Sequence, residues 1–296
     1  MIVNATGVSY SCFNCGFKTG YTEGHPLGIK FRKLLGWLGI DSGEVEVLRF
    51  EAMRHSQDGA ATIVHKPRVE LNERDLPPDS EILADVRDKF PEHAAYIENR
   101  KFALDDFPFL VTHDEEHRMN KRVILPFSHA NKIVGYTARL ITFGRPKYYS
   151  QRDPAYVFGL DSIGLPSEQS WIALTEGPFD ALCLGGVAVG GAEVREEQAD
   201  QLEALQRQII VVPDRNAAGM QMDADHPNSL LNAAIDYGWH VAFPDWEPEA
   251  EDVNKAVQRY GRLYVVRTIL ESTTPNPVAI KLRARKYSIH KSSPEE

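Results

Sequence analysis

The sequence predicts an α/β protein in which a small mixed α/β subdomain precedes a parallel sheet flanked by helices. From Trp171 onward, short apolar runs alternate with helical patterns, beginning with WIALT and then PFDALCL. Alternation of strands with helices is typical of parallel sheets covered by helices. Between residues 118 and 156, turn signals separate the apolar runs, which favours strands joined by short connections. A chain of 296 residues has room for about two such domains with appendages.

The first predicted segment, residues 1–26, contains Cys12-Phe-Asn-Cys15-Gly among small polar and aromatic residues that indicate a β-hairpin. Cysteines at this spacing can direct two thiolates at one zinc ion, but a closed structural site needs four ligands. The third cysteine, Cys183, is far away along the chain. The other ligands could lie upstream of Met1, be lost, or come from a partner chain. We therefore expect a partial zinc ribbon, in which Zn²⁺ binding by Cys12 and Cys15 is left open.

The remaining segments follow from composition. Residues 27–75 contain LGIKFRKLLGWLGI, whose apolar spacing predicts a helical linker module. Pro77, Pro78 and Ser80 then predict the start of a helix over residues 81–90. The last residues carry TTPNP and KLRARK, which are typical of a basic mobile tail. In chain order the predicted segments are 1–26, 27–75, the basic subdomain 76–167, an acidic α/β domain 168–271 and the tail 272–296.

Charge is distributed unevenly along the chain. The formal net charge of -9 by itself counts against a nucleic-acid partner, because phosphate backbones are bound by surplus Lys and Arg. Residues 118–156, however, carry eight bases and one acid, whereas residues 171–255 carry sixteen acids and four bases. The sequence therefore predicts a basic region followed by an acidic one, and the net charge hides both.

Three acidic residues stand at or soon after the ends of predicted strands: Glu176, Asp214 and Asp252. The carboxyl ends of parallel strands meet at one edge of a sheet, which is where ligands bind. Carboxylates gathered there repel one another unless a cation lies between them, and oxygen ligands select Mg²⁺ or Mn²⁺. The pattern therefore favours metal-assisted phosphoryl transfer. The alternative is that these residues only cap the helices that follow.

Two sets of motifs resemble known families. The acidic half resembles the Toprim domain in three motifs that occur in the same order, LTEGPFDAL, IIVVPDRNAAG and EDVNKAV. The basic half resembles the subdomain that precedes Toprim in bacterial-type and phage DNA primases, through RVILPF, GYTAR and GRPKYY. The resemblance covers roughly residues 118–270, about half of the chain. It implies a Toprim fold for residues 168–271 and a primase catalytic core overall.

The resemblance also implies site residues. Glu176, Asp214 and Asp252 would be catalytic, with Glu176 as the acid/base carboxylate near the reacting oxygen. The Mg²⁺ or Mn²⁺ ligands would be Glu176, Asp180, Asp214, Asn216 and Asp252. Asn216 replaces the second carboxylate of the middle motif and adds no charge, which leaves the metal affinity of that subsite open. Nucleic acid and nucleoside triphosphate would be bound by Arg122, Arg139, Lys147 and Tyr148.

The implied activity is that of a DNA primase, a DNA-directed RNA polymerase that makes short RNA primers on single-stranded DNA from ribonucleoside triphosphates. Because the sequence shows no P-loop, we expect the replicative helicase to be a separate protein that acts in trans, or else an absent C-terminal part. Three cysteines, no signal peptide and no apolar run of about 18 residues favour a cytoplasmic location without a membrane partner, in a bacterial host if the protein is phage-encoded. Two alternatives remain: a Toprim nuclease, or a catalytically silent single-stranded-DNA-binding accessory protein of the replisome.

Overall fold

The computed structural model divides the chain into two compact units. One unit consists of Met1–Arg68 with Ile235–Gly238, and the other of Val69–Ala234 with Trp239–Glu296. Among the residues that the structure describes, no helix is both long and apolar enough to cross a membrane. The described residues are 1–4, 7–12, 17–23, 27–41, 43–45, 47–49, 51–52, 69–115, 119–162, 171–205, 207–215 and 229–288.

The first unit contains an antiparallel sheet and a helix. Its strands are β1 (Ile2–Asn4), β2 (Gly7–Ser11) and β3 (Lys18–Thr22), its first helix is α1 (Ile29–Trp37), and residues 43–45, 47–49 and 51–52 are also helical. The backbone N–H of Cys12 donates to the carbonyl of Phe17 at 2.8 Å beside the β2–β3 connection. The predicted hairpin is therefore confirmed, whereas Cys15 lies outside the described residues. Helix α1 confirms the start of the predicted helical module. Residues 69–75, the last of that predicted module, contain neither helix nor strand.

The second unit begins with a five-stranded sheet in which every neighbouring pair is antiparallel. Helix α2 (Pro91–Asn99) lies between its first two strands in the sequence. Ala130 and Asn131 join the two longest strands with φ angles of 51° and 64°, the left-handed conformation that a tight hairpin requires. The strands are β4 (Glu81–Ile82), β5 (Leu110–Val111), β6 (Arg122–His129), β7 (Lys132–Leu140) and β8 (Tyr148–Arg152).

The helix predicted over residues 81–90 is absent. Glu81 and Ile82 pair with β5, residues 83–89 form consecutive turns, and α2 begins only at Pro91. The hydroxyl of Ser80 donates back to the carbonyl of Pro77 at 2.6 Å. The prediction was wrong because Leu83, Val86 and Phe90 are buried at helix-like spacing by a chain of turns.

The second sheet confirms the predicted parallel architecture. In the order β10-β9-β11-β12 the neighbouring strands are parallel, and β13 pairs antiparallel with β12. The strands are β9 (Trp171–Thr175), β10 (Val187–Ala188), β11 (Gln208–Val211), β12 (His240–Ala242) and β13 (Thr273–Thr274). The helices are α3 (Pro178–Leu184), α4 (Glu196–Ala204), α5 (Leu230–Tyr237), α6 (Val253–Tyr260), α7 (Arg262–Ser272) and α8 (Pro277–Ser288).

The largest described hydrophobic cluster of the second unit joins its two sheets. Phe109 and Leu125 from the antiparallel half belong to the same buried cluster as Phe179 and Ile210 from the parallel half. The ring centroids of Phe109 and Phe179 are 6.4 Å apart in a stacked arrangement. The predicted division at residues 167 and 168 therefore does not separate two cores, and the shared core keeps the basic strands beside the acidic ones.

The C-terminal segment predicted as a mobile tail is ordered as far as residue 288. β13 extends the parallel sheet, and α8 buries Ile280, Ala284 and Tyr287, which recur at helical spacing. The side chain of Asn276 starts the helix by accepting the N–H of Val278 at 2.9 Å. Lys281, Arg283, Arg285 and Lys286 are exposed, so the charge run lies on the outer face of a helix, which also exposes Val278 and Leu282. Residues 289–296 lie outside the described part.

Tyr287 provides a test of this packing. Its hydroxyl is buried without a hydrogen-bond partner among the described residues, while its ring contacts Phe243 edge-on. We expect Tyr287→Phe to keep or raise the free energy of unfolding by up to about 1 kcal/mol, because it removes an unpaired buried polar atom. Tyr287→Ala should lower it by about 3 kcal/mol. Urea unfolding measures both, and equal losses in the two variants would show that α8 is not packed this way.

Candidate functional site

Two parallel strands bring acidic residues to one edge of the second sheet. Glu176 follows β9 directly, and Asp214 follows β11 after two residues. Because β9 and β11 are adjacent, with Leu174 opposite Val211, their carboxyl ends coincide. Asp180 lies in the first turn of α3, which starts just beyond Glu176.

Asp252 completes a carboxylate edge that consists of Glu176, Asp180, Asp214 and Asp252. Asp252 caps α6, and its carboxylate accepts the backbone N–H of Lys255 at 2.7 Å. It also acts electrostatically on Asp180 and Asp214. The capping alternative is therefore correct for the Asp252 side chain, but the residue belongs to the carboxylate edge as well.

The members of the carboxylate edge destabilise one another's charged forms. Burial and then the charge of Asp252 raise the pKa of Asp180 to about 7, against the opposing effects of an Asn254 N–H and Arg100. Burial and the charges of Asp180, Glu176 and Asp252 raise the pKa of Asp214 to about 9. Without a cation, the Asp214 carboxyl is therefore protonated at neutral pH.

The donor types of the carboxylate edge fit a hard divalent cation. Carboxylate oxygens are the ligands that Mg²⁺ prefers, and a cation would relieve the repulsion that now holds a proton on Asp214. In the described part of the chain, no three His, Cys, Asp or Glu side chains already stand close enough to enclose a metal ion. Asn216, the remaining predicted ligand, lies outside the described residues. Metal binding therefore stays a prediction.

Asn254 supports the carboxylate edge through hydrogen bonds. It is buried, and its backbone N–H donates to Asp180 Oδ1 at 2.8 Å. Its side-chain Nδ2 donates to Cys183 Sγ at 3.1 Å and to the carbonyl of Arg100 at 3.0 Å. Burial raises the pKa of Cys183 to about 12, so the thiol stays neutral. The start of α6 is thereby connected to α3 and to the end of α2.

Basic side chains stand beside the carboxylate edge. Arg139, on β7, donates from Nε to the hydroxyl of Tyr96 at 2.9 Å, and its guanidinium lies 4.6 Å from the ring centroid of Tyr148. Lys147 precedes β8, and burial followed by the charge of Arg139 lowers its pKa, whereas Asp252 raises it. Neither Arg139 nor Lys147 forms an ion pair within the described residues, in contrast to Lys121, which pairs with Glu92.

Arg122 is a correction to the predicted binding residues. Its side chain is buried, with 4% of its surface exposed, and it donates to the carbonyls of Pro146 at 2.7 Å and Ala138 at 3.0 Å. A third, longer contact of 3.5 Å reaches the carbonyl of Lys147. The guanidinium is occupied with backbone carbonyls, so Arg122 shapes the segment that carries Lys147 and does not itself face a ligand.

Sequence reasoning missed Arg100 and Tyr96. Arg100 follows α2, and its guanidinium lies 4.9 Å from the ring centroid of Tyr96 and 4.6 Å from that of Phe179. Tyr96 therefore contacts two arginines, because its hydroxyl accepts from Arg139. The available signal was the spacing of Tyr96 and Arg100, which places them one helical turn apart.

Comparison with known proteins identifies the fold. No family model and no curated protein matches the chain. The structure of the DnaG catalytic core matches with a TM-score of 0.50 at 17% identity, covering 68% of this chain and 81% of that chain. The Aquifex aeolicus primase (zinc-binding and RNA polymerase domains) matches with a TM-score of 0.49 at 18% identity, covering 94% and 79%. The DnaG primase catalytic domain bound to ssDNA matches with a TM-score of 0.47 at 16% identity, covering 61% and 74%. The first of these matches shows that the chain has the mixed α/β fold of a DnaG catalytic core.

Proposed function

We propose that the protein is a DNA primase, which joins ribonucleotides into short RNA primers on a single-stranded DNA template. The observation that carries the proposal is the proximity of the carboxylate edge to cations that have no ion pair among the described residues. Burial raises the pKa of Asp214, and the charge of Lys147 opposes this rise in part. The charge of Asp252 in turn raises the pKa of Lys147. Nucleotidyl transfer needs both kinds of group, carboxylates that hold metal and cations that bind phosphates.

The proposed roles divide along the carboxylate edge. Mg²⁺ or Mn²⁺ held by Glu176, Asp214 and Asp252 would neutralise charge on the triphosphate during transfer. Glu176 is partly exposed and can accept the proton of the attacking 3′-hydroxyl. Asp180 is fixed by the Asn254 N–H and would hold or orient the same metal ion.

The proposed nucleic-acid surface consists of Arg139, Lys147 and Tyr148. The two cations would bind phosphates of the template or the triphosphate. Tyr148 is 40% exposed and its neighbour Tyr149 is 50% exposed, so unpaired bases could stack on their rings. A helicase acting in trans and a zinc ion at Cys12 and Cys15 belong to the same proposal.

A template-dependent synthesis assay with Mg²⁺ or Mn²⁺ tests the role of Glu176. We expect Glu176→Gln to reduce synthesis by about 10²-fold or more, because an amide cannot accept the hydroxyl proton. The matched control is Glu197→Gln, an exposed acid on α4 that should retain the parent rate. Synthesis by Glu176→Gln at the parent rate would remove Glu176 from the mechanism.

Either of two results with the parent protein would overturn the proposal in favour of another function. Cleavage of single-stranded DNA in the same buffer, without synthesis, would identify a nuclease. Binding to single-stranded DNA that persists in chelator, with no synthesis under either metal, would identify a catalytically silent binding module.

A further inference from the structure

Arg215 connects two of the segments that carry the carboxylate edge. It follows Asp214 directly in the chain, and its backbone N–H donates to the carbonyl of Glu251 at 2.8 Å. Glu251 in turn directly precedes Asp252. One backbone hydrogen bond therefore joins the neighbour of Asp214 to the neighbour of Asp252, and so limits how far these two carboxylates can separate.

The side chain of Arg215 reaches the loop that leads to Asp252. Its Nη1 donates to the carbonyl of Trp246, in the connection between β12 and α6. Trp246 is itself buried, and its Nε1 donates to Oγ1 of Thr268 on α7 at 2.9 Å. Arg215 thus contacts residues 246–251 at both ends, through its side chain and through its backbone, and Trp246 anchors the same loop on α7.

Tyr287 supports this guanidinium from the C-terminal helix α8. Arg215 is buried, and its guanidinium carbon lies over the ring of Tyr287, 5.1 Å from the centroid. A cation over the face of an aromatic ring is attracted to it, and more strongly where water is excluded. Burial raises the pKa of Tyr287 and the charge of Arg215 opposes this rise, while the charge of Asp214 adds to it. Helix α8 therefore extends to the carboxylate edge.

We infer that Arg215 and Tyr287 are positioning residues, which hold Asp214 and Asp252 at the separation that a shared divalent cation needs. The inference rests on the proposed function, which places Mg²⁺ or Mn²⁺ at these carboxylates. Ionised carboxylates repel each other and move apart unless their segments are tied together, so a bridge between the segments lowers the cost of binding a cation. The helix that the sequence predicts as part of a mobile tail thereby acts at the metal site.

Binding of Mn²⁺, followed by the electron paramagnetic resonance signal of the free ion, tests the inference without requiring catalysis. The component to be compared is the binding that Asp214→Asn removes. We expect Arg215→Met to weaken this binding about tenfold or more, because groups that orient metal ligands typically contribute that much. Arg215→Lys should recover part of the loss, since an ammonium can still donate to the Trp246 carbonyl but lacks the plane that stacks on a ring.

Variants of Tyr287 and two controls complete the set. Tyr287→Leu removes the ring and should weaken the same Mn²⁺ binding about threefold, the loss of one cation–π contact. Tyr287→Phe keeps the ring and should recover the affinity. Arg285→Met removes an exposed charge from the same helix and should leave both the melting temperature and the Mn²⁺ affinity unchanged. Leu83→Ala opens a cavity in the antiparallel half, so it should lower the melting temperature without changing the Mn²⁺ affinity.

The outcomes separate this inference from the proposed function. A folded Arg215→Met that binds Mn²⁺ as tightly as the parent would refute the inference even if the parent makes primers, and a lowered melting temperature would then show that Arg215 only supports the fold. If Arg215→Met does not fold, the affinities of Arg215→Lys and Tyr287→Leu decide in the same way. Mn²⁺ binding that depends on Arg215, in a parent that makes no primers, would uphold the inference and refute the primase. A parent without Asp214-dependent Mn²⁺ binding would refute the inference.

Discussion

Asp214→Asn should make the protein more stable at pH 8 while abolishing primer synthesis. Burial and neighbouring carboxylates raise the pKa of Asp214 from its ordinary value of 3.8 to about 9. The folded state therefore binds this proton more tightly than the unfolded state, and stability is lost as the pH rises from about 4 to about 9. An uncharged amide avoids that loss. We expect a gain of about 1.4 kcal/mol or more at pH 8, the free energy of a tenfold change in proton affinity.

The measurement is the free energy of unfolding in urea, at pH 5 and pH 8, with chelator present. The parent should be less stable at pH 8 than at pH 5, and Asp214→Asn should show a smaller difference. Asp105→Asn is the matched control, since Asp105 is exposed and should leave the parent's pH dependence intact. Added Mg²⁺ should raise the unfolding free energy of the parent at pH 8, and should raise that of Asp214→Asn by less. A variant that is less stable than the parent at pH 8 would contradict the electrostatic account.

Such an exchange of stability for activity is expected where like charges are held together for a ligand. Among the described residues, no hydrogen bond compensates for the burial of the Asp214 side chain, whereas Asp180 and Asp252 each accept a backbone N–H. In the absence of a cation, the placement of Asp214 therefore costs more than that of Asp180.

The parallel half of the fold was predictable because its signals are local. Strand β9 and helix α3 match their predicted residues at both ends. Pro178 favours the first helical turn, and Gly185 ends the helix with a φ of 65°, which glycine adopts easily. The turns of residues 83–89 were not predictable in this way, because their apolar spacing equals that of a helix.

The candidate site was predictable only in part, for a related reason. The carboxylate edge follows from topology, since adjacent parallel strands end together. Strand β6 is buried on both faces, so its sequence does not alternate between apolar and polar residues in a way that marks the outward-facing positions. For this reason Arg122 was wrongly expected to reach a ligand. Arg100 contacts Asn254 across 154 residues, and no local pattern encodes such a contact.

Arg122→Met should destabilise the protein and also weaken binding to single-stranded DNA. Removing the guanidinium leaves the carbonyls of Ala138 and Pro146 without their donor in a buried place, which we expect to cost about 3 kcal/mol of unfolding free energy. The same change frees the segment before β8, so Lys147 loses its fixed position. Arg122→Lys should rescue little, because one ammonium cannot replace a guanidinium whose two ends reach separate carbonyls.

Arg145→Met separates the structural role of Arg122 from its charge. Arg145 is exposed in the same segment, so its loss removes an equal charge without opening buried carbonyls. It should leave urea unfolding within about 0.5 kcal/mol of the parent. If Arg122→Met unfolds like Arg145→Met and differs only in DNA affinity, Arg122 contacts the ligand directly and the burial argument fails. If it unfolds earlier and binds DNA as weakly as Lys147→Met, Arg122 acts through the position of Lys147.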